Sequence, residues 1–179
     1  MPKWVLDPDH SVAAFAVRHM MVTWVRGLLT KVTGTLTFDP FNVAAAAVEV
    51  EIAAGSLFTG VDKRDDHLKS ADFLEVEKYP AITFTSTRVE PVGLDQARVH
   101  GDLTIRGVTQ PVVLDVWWAG PAHFNDEGII YTSLGFRAET VINREDFGMV
   151  WNTEMENGGF VVGKHLYIRL DLEADLADG

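Results

Sequence analysis

Histidines beside carboxylates are the residues of this sequence best suited to chemistry, because an imidazole and a carboxylate can share a proton or hold a divalent metal. The densest cluster is Asp65-Asp66-His67, which His10 and His19 could join across a fold. The spacing argues against a zinc centre. There is no HExxH run, and no two histidines stand at the i,i+4 separation that aims two imidazoles at one ion, so no metal is expected. Asp9-His10-Ser11 has the composition of a nucleophilic triad, but adjacent strand residues point to opposite faces and cannot line up. No GxSxG elbow occurs, and Gly163-Lys164 lacks the upstream glycine and following Ser/Thr of a phosphate loop. No catalytic residue is expected.

Two arginines and one histidine keep two readings each. Arg64 lies in a charged run, and Arg144 in Ile142-Asn143-Arg144-Glu145-Asp146-Phe147-Gly148. Either each pairs with a neighbouring acid, Asp65 or Asp146, and locks a loop, or each is a barrel-mouth cation whose guanidinium fork holds an anionic or polar head group. His19 continues the apolar face of Ala13, Phe15 and Val17. It is either hydrogen-bonded in a core or bonded to a carbonyl or phosphate of a ligand.

The elements that must position these residues are mostly strands. Apolar/polar alternation recurs over residues 11–19, 33–38, 48–52, 81–88, 98–105, 114–118, 133–139 and 166–173, with a short first strand around Trp4-Val5-Leu6. Val48-Glu49-Val50-Glu51-Ile52 shows it most strictly, the signature of a strand with one wet face. Turn-forming residues at 91–95, 107–111 and 125–128 link the strands too briefly for βαβ crossovers, so a meander of antiparallel neighbours is expected. Gly60 to Ser70 breaks the pattern and predicts one short helix near residues 62–70, with Asp62 as N-cap, Asp65 three residues on, and Asp65 and Lys69 as an i,i+4 pair. Eight or nine strands with apolar inner faces must form two packed sheets or one closed barrel. A barrel of eight is either filled by side chains or holds one small ligand. Glycines within strands, such as Gly34 and Gly101, mark bends or close approaches to the backbone.

Composition narrows the function. The 179 residues carry 15 Lys+Arg against 26 Asp+Glu, a net charge of −11, with 47% apolar and no cysteine. One globular domain over 1–179 is expected. Disorder, disulfide scaffolding, thiolate chemistry and general nucleic-acid binding are all disfavoured. The longest apolar run, residues 43–48, is too short to span a bilayer as a helix. No secretory leader precedes the first strand, so a cytoplasmic location is expected, or a periplasmic one if the sequence is a trimmed mature form.

The motifs have a family likeness. Trp4-Val5-Leu6-Asp7-Pro8-Asp9-His10-Ser11, Phe15-Ala16-Val17-Arg18-His19, Arg64-Asp65-Asp66-His67-Leu68 and Ser70-Ala71-Asp72-Phe73-Leu74 occur in order. They continue through Tyr79-Pro80-Ala81-Ile82-Thr83-Phe84, Gly101-Asp102-Leu103-Thr104-Ile105-Arg106-Gly107 and the Ile142–Gly148 block. Together they resemble the YceI-like family of polyisoprenoid-binding proteins over essentially the whole chain. The resemblance implies an all-β, lipocalin-like antiparallel β-barrel of about eight strands around an elongated apolar tunnel. It also implies binding of a long isoprenoid lipid, a polyprenyl phosphate or isoprenoid quinone, without catalysis and with no further cofactor. Many relatives carry a secretory signal, which this chain does not show.

With the alternation, this assigns Phe15, Val17, His19, Leu36, Phe38, Phe84, Leu103, Trp118 and Phe136 to the tunnel lining, and Arg64, His67 and Arg144 to head-group contacts. The isoprenoid lipid is the expected partner, with transient membrane contact, no nucleic acid, and room for a homodimer. Two rival readings stand beside the carrier. One is an enzyme acting on a small apolar substrate through His19 or His67. The other is a ligand-free structural or stress-related module with a solid core.

Overall fold

The computed structural model describes residues 1–177, so the last two residues of the expected 1–179 domain lie outside the description. Eleven strand segments form one antiparallel sheet. They are β1 (Lys3–Leu6), β2 (Val12–His19), β3 (Thr23–Leu29), β4 (Val32–Thr37), β5 (Ala47–Ala53), β6 (Leu57–Phe58), β7 (Ala81–Pro91), β8 (Gln96–Ile105), β9 (Val108–Asp126), β10 (Ile129–Asn143) and β11 (Val162–Leu176).

The register reduces these eleven segments to eight staves. β1 and β2 lie end to end along β11, with Trp4 opposite Leu176 and Ala13 opposite Leu170. β4 pairs with β1 and β3 with β2, so β3 and β4 make one broken stave on the next position. β6 prolongs the stave of β5 and pairs with β3. From there β5, β7, β8, β9, β10 and β11 follow in sequence, and the contact of β11 with β1 and β2 closes an eight-stave antiparallel barrel. Closure removes the unpaired edges that an open sheet would expose.

Alternation positions the core as the sequence predicts. Val50, Ile82, Phe84, Leu103, Leu134, Ala138 and Leu170 face inward and are buried. Two strand glycines make room for inward aromatics. A Cβ at Gly27 would stand 2.4 Å from Cζ of Phe15, and one at Gly101 would stand 2.4 Å from Cζ of Phe84.

Local expectations are corrected in four places. β3, Thr23–Leu29, is a strand that weak alternation in Thr23-Trp24-Val25-Arg26-Gly27 conceals. The turn expected at 107–111 is only Arg106–Gly107, both at positive φ (52° and 71°), because a two-residue turn of that hand matches the twist of a hairpin. Val108 to Pro111 already belongs to β9. β9 and β10 also run well beyond the expected strands, and residues 119–132 extend as a two-stranded ribbon past the last pairing with β8 at Trp117 and β11 at Ser133.

The fourth correction concerns α1, Asp62–Lys69, whose N-cap is Val61 rather than Asp62. The Asp65 carboxylate does not reach Lys69 either. It turns back to accept hydrogen bonds from the backbone N–H of Thr59 at 3.0 Å and from its hydroxyl. The segment from α1 to β7 and the turn Arg144–Phe147 lie at one end of the barrel, which is called the α1 end below. Arg106 ties them together. Its guanidinium donates to the carbonyls of Gly148 and Ala71, the latter at 2.8 Å, and lies 3.3 Å from the Glu75 carboxylate.

Candidate ligand-binding cavity

The barrel encloses a cavity of about 230 Å³. Every stave contributes to its wall, and among the described residues the lining is apolar apart from Thr37, Thr83, Thr140 and Arg144. Such a volume is slightly below the roughly 300–1,000 Å³ of ordinary small-molecule pockets, which suits a slender chain better than a bulky ring system.

Of the residues assigned to the lining, Phe15, Val17, Leu36 and Phe38 face the cavity from the first two staves. Phe84, Leu103, Trp118 and Phe136 face it from β7, β8, β9 and β10. His19 does not line it. That residue closes β2 opposite Thr23 and Val162, one inward position past Val17, the last residue of β2 in the lining, and at its level the wall is supplied by Val162 of β11 instead. Phe38 organises the end opposite α1. Its ring meets Trp118 edge-on at 5.2 Å and Phe136 at 5.3 Å. The Trp4 indole N–H donates to the Phe38 carbonyl at 3.0 Å and fixes that turn of chain.

The three head-group candidates separate. Arg64 points away from the cavity: its Nε donates to the Thr59 hydroxyl at 2.7 Å and Nη2 to the Thr59 carbonyl at 3.0 Å. It therefore does not lock the loop by pairing with Asp65. His67 also lies outside the lining. Its Nε2 is 2.9 Å from the Asp72 carboxylate, and its ring stands edge-on to Trp151 at 4.6 Å and Phe73 at 5.1 Å. Only Arg144 reaches the cavity, and it is 1% exposed. It does not pair with Asp146 as one reading had it. Its donors go instead to three backbone carbonyls, those of Gly163 (2.8 Å from Nε), Met149 and Val162 (3.4 Å from Nη2). Burial lowers the Arg144 pKa and the nearby Glu145 carboxylate opposes that shift, but a guanidinium stays protonated.

Sequence reasoning missed the residues that close the α1 end. Leu68, Phe73, Leu74 and Met149 line the cavity there, from a helix and two irregular segments that carry no alternation. The one available signal was Arg106-Gly107, a tight-turn pair whose arginine holds those segments in place.

The other titratable clusters lie apart from the cavity. His10 does not meet Asp65-Asp66-His67 or His19; its Nδ1 is 2.6 Å from the Asp7 carboxylate. Asp7, His10 and Glu173 are, among the described residues, a group close enough to share a cation, and they sit on the outer wall where β1 breaks into β2. Hydrogen bonding to His10 is the main cause that lowers the Asp7 pKa, and hydrogen bonding to Asp7 is the main cause that raises the His10 pKa. Ser11 turns away from both and exchanges hydrogen bonds with the backbone of Glu173. These contacts brace a break between strands and leave no aligned nucleophile.

Known proteins show the same architecture. The Burkholderia cenocepacia protein BcnA superposes with a TM-score of 0.79 at 23% identity, covering 94% of this chain and 98% of its own. A structure described as a polyisoprenoid binding domain from Saccharophagus degradans, implicated in plant cell wall breakdown, superposes with a TM-score of 0.70 at 15% identity, covering 99% and 100%. At those identities the likeness is one of fold. Sequence carries it further: Protein YceI of Escherichia coli O6:H1 is 41% identical over 143 residues, 80% of this chain and 73% of the relative. Residues 4–174, from the Trp4 that anchors the aromatic end to the last inward residue of β11, match the model of the YceI-like domain, and the chain belongs to that family.

Proposed function

We propose that this protein binds and carries a long-chain isoprenoid lipid, without catalysis, in the cavity of its barrel. One observation carries the reading: the closed barrel holds a cavity whose wall is predominantly hydrocarbon on every stave, with Arg144, among the described residues, as its one charged side chain. Binding needs little more than burial, since each methylene withdrawn from water contributes roughly 0.8 kcal/mol. A polyprenyl phosphate and an isoprenoid quinone both fit that description, each joining a slender apolar chain to one polar head. The name of the Saccharophagus neighbour, a polyisoprenoid binding domain, supports the same class of ligand. His19 and His67, the candidate acid–base groups, stand outside the cavity, so the geometry favours carriage over turnover.

A membrane is the source such a lipid requires. The net charge of −11 disfavours lasting adsorption to an anionic leaflet, so contact with the bilayer is transient. Native mass spectrometry of the purified protein, followed by organic extraction, tests the reading. A co-purifying isoprenoid is expected. A lipid-free protein that also fails to take up added polyprenyl chains overturns it.

A further inference from the structure

The hairpin of β2 and β3 departs from the rest of the chain in two ways. From His10 to Phe38 there is no aspartate or glutamate, although the chain carries 26 acids, and the same span holds Arg18, Arg26 and Lys31. A protein of net charge −11 thus has one stretch of wall that contributes no negative charge. The second departure is the turn. Met20 and Met21 both take positive φ, 50° and 62°, and the Val22 N–H closes the turn by donating to the His19 carbonyl at 3.1 Å. Such a turn favours Asn or Gly at both positions, because other side chains are strained there. It carries two methionines instead, 43% and 65% exposed, followed by Val22 at 77%. Neither the strain nor the exposed hydrocarbon helps the fold, and both serve a tip that meets an apolar partner.

Beside the tip the strands present a basic and aromatic outer face. Val17 points into the cavity, so Arg18 points outward, as do Trp24 directly opposite it and Arg26 two residues on. The Arg18 guanidinium lies over the Trp24 ring at 4.4 Å, and that ring stands edge-on to Tyr167 at 5.2 Å. Among the described residues, neither Arg18 nor Arg26 has a carboxylate within ion-pair distance, and both are exposed. Met and Val at a tip, backed by Trp, Tyr and Arg, suit the boundary of a bilayer. The tip enters the acyl region, the rings lie among the headgroups, and the guanidinium groups meet lipid phosphates.

The hairpin also borders the cavity. The Met20 N–H donates to the Val161 carbonyl at 2.8 Å, and the neighbouring Val17 and Val162 both line the cavity. Phe41, Leu94, Phe124 and Ile129 are exposed at the opposite end of the barrel, but each has an acid within two residues: Asp39, Asp95, Asp126 and Glu127. An anionic surface repels that end. On the hairpin side, Glu154 and Glu156 lie in the loop leading to β11 and bound the acid-free zone there.

We propose that the tip Met20–Val22, with Arg18, Trp24 and Arg26, docks this protein on an anionic lipid surface, the α1 end of the barrel facing the bilayer. This rests on the reading of the barrel as a lipid carrier and adds the face that meets the membrane and the lipid charge it requires. The total charge of −11 keeps the contact brief, while the local charge sets its orientation.

The chain has no cysteine, so Met21→Cys accepts a single environment-sensitive fluorophore. Leu94→Cys, 99% exposed in the turn between β7 and β8, carries the same label at the opposite end as a control. With vesicles of equal parts phosphatidylglycerol and phosphatidylcholine at low salt, the label on Met21→Cys is expected to shift to the blue and brighten. The label on Leu94→Cys should stay as in water, and pure phosphatidylcholine should move neither. Adding Arg18→Gln and Arg26→Gln to labelled Met21→Cys should weaken partitioning at least about ten-fold, since each basic residue at an anionic surface contributes roughly five-fold. A silent label on Met21→Cys, an equal response to pure phosphatidylcholine, or an equal response from Leu94→Cys overturns the proposal. So does a dimer in solution that Met21→Asp dissociates, which would give this face to a second copy. None of these outcomes touches isoprenoid uptake by the cavity, which mass spectrometry decides separately.

Discussion

The ring of Phe84 on β7 lies over the bare backbone of Gly101 on β8, so close that a methyl group on Gly101 would sit 2.4 Å from Cζ and 2.6 Å from Cε2 of that ring. Ser86 stands opposite Gly101, two residues from Phe84 along β7, where a bulge shifts the register. The glycine therefore sets how far an inward aromatic can lean toward the wall, and with it the shape of the cavity. Gly101→Ala is expected to destabilise the protein by about 1–3 kcal/mol, the usual cost of overpacking a fitted site. Adding Phe84→Leu should recover only part of this, because the Thr85 carbonyl also stands 2.5 Å from the new methyl. Urea denaturation of the single and double variants measures both.

Phe136 is the inward aromatic whose enlargement should be tolerated. It lies at the cavity surface rather than within the packed layer beyond it. Phe136→Trp should cost less than about 1.5 kcal/mol, since the added atoms enter free space, and it should lower isoprenoid uptake several-fold. Unchanged uptake in a folded variant would show that the chain does not reach this residue.

Arg106 should govern how readily the α1 end opens. It bridges the carbonyls of Ala71 and Gly148 and the Glu75 carboxylate, joining the two irregular segments that cover that end. Arg106→Ala should destabilise by about 1–3 kcal/mol through unpaired acceptors and accelerate lipid release. Stopped-flow transfer to acceptor vesicles reads the release rate, and a rate equal to wild type refutes a role for this end in exchange.

Asp65 links stability to acid. Burial on its own would raise its pKa, but hydrogen bonds from the Thr59 side chain and backbone, with the charges of Lys69 and Arg64, hold it below the ordinary 3.8. A carboxyl depressed in this way contributes stability that is present above its unfolded pKa and is lost as pH falls through the folded one. Asp65→Ala, which leaves the Thr59 donors without their acceptor, should cost about 1–3 kcal/mol near neutrality, and the gap to wild type should close in acid. A gap that persists at pH 2 to 3 would show that the carboxylate charge is not what matters.

The Asp7–His10 pair should show the opposite pH dependence from its histidine side. His10 is raised above the ordinary 6.5, chiefly by its hydrogen bond to Asp7. Its contribution is complete below that value and is lost as pH rises through the folded-state pKa. An NMR titration should find the His10 midpoint above 6.5, and Asp7→Asn should bring it back down. A midpoint that does not move would show that the pair is not formed in solution.

Much of the architecture was legible because a strand writes its facing into every second residue. Val48-Glu49-Val50-Glu51-Ile52 and the residues around Phe84, Leu103 and Phe136 announce inner and outer faces locally, and short connections leave little choice but sequential antiparallel neighbours. β3 escaped notice because Thr23 to Gly27 alternates poorly, and Gly27 faces inward only to admit the Phe15 ring from β2. Alternation says which way Val17 and His19 point, but not that Val162 of β11 rather than His19 lines the cavity at that level.

What the sequence determined by itself, therefore, was the fold class, the inward set of side chains and the family motifs, all of which depend on local periodicity and residue type. Only the tertiary structure decided among the polar residues. Arg64 and His67 lie in the predicted helix and Arg144 in a turn, and their residue types do not rank them, yet the first two turn to Thr59 and Asp72 while, of the three, Arg144 alone is carried into the apolar interior. The reason is physical. Its carbonyl partners at Met149, Val162 and Gly163 are supplied by backbone, which any residue type presents equally, so no pattern of side chains could have foretold them.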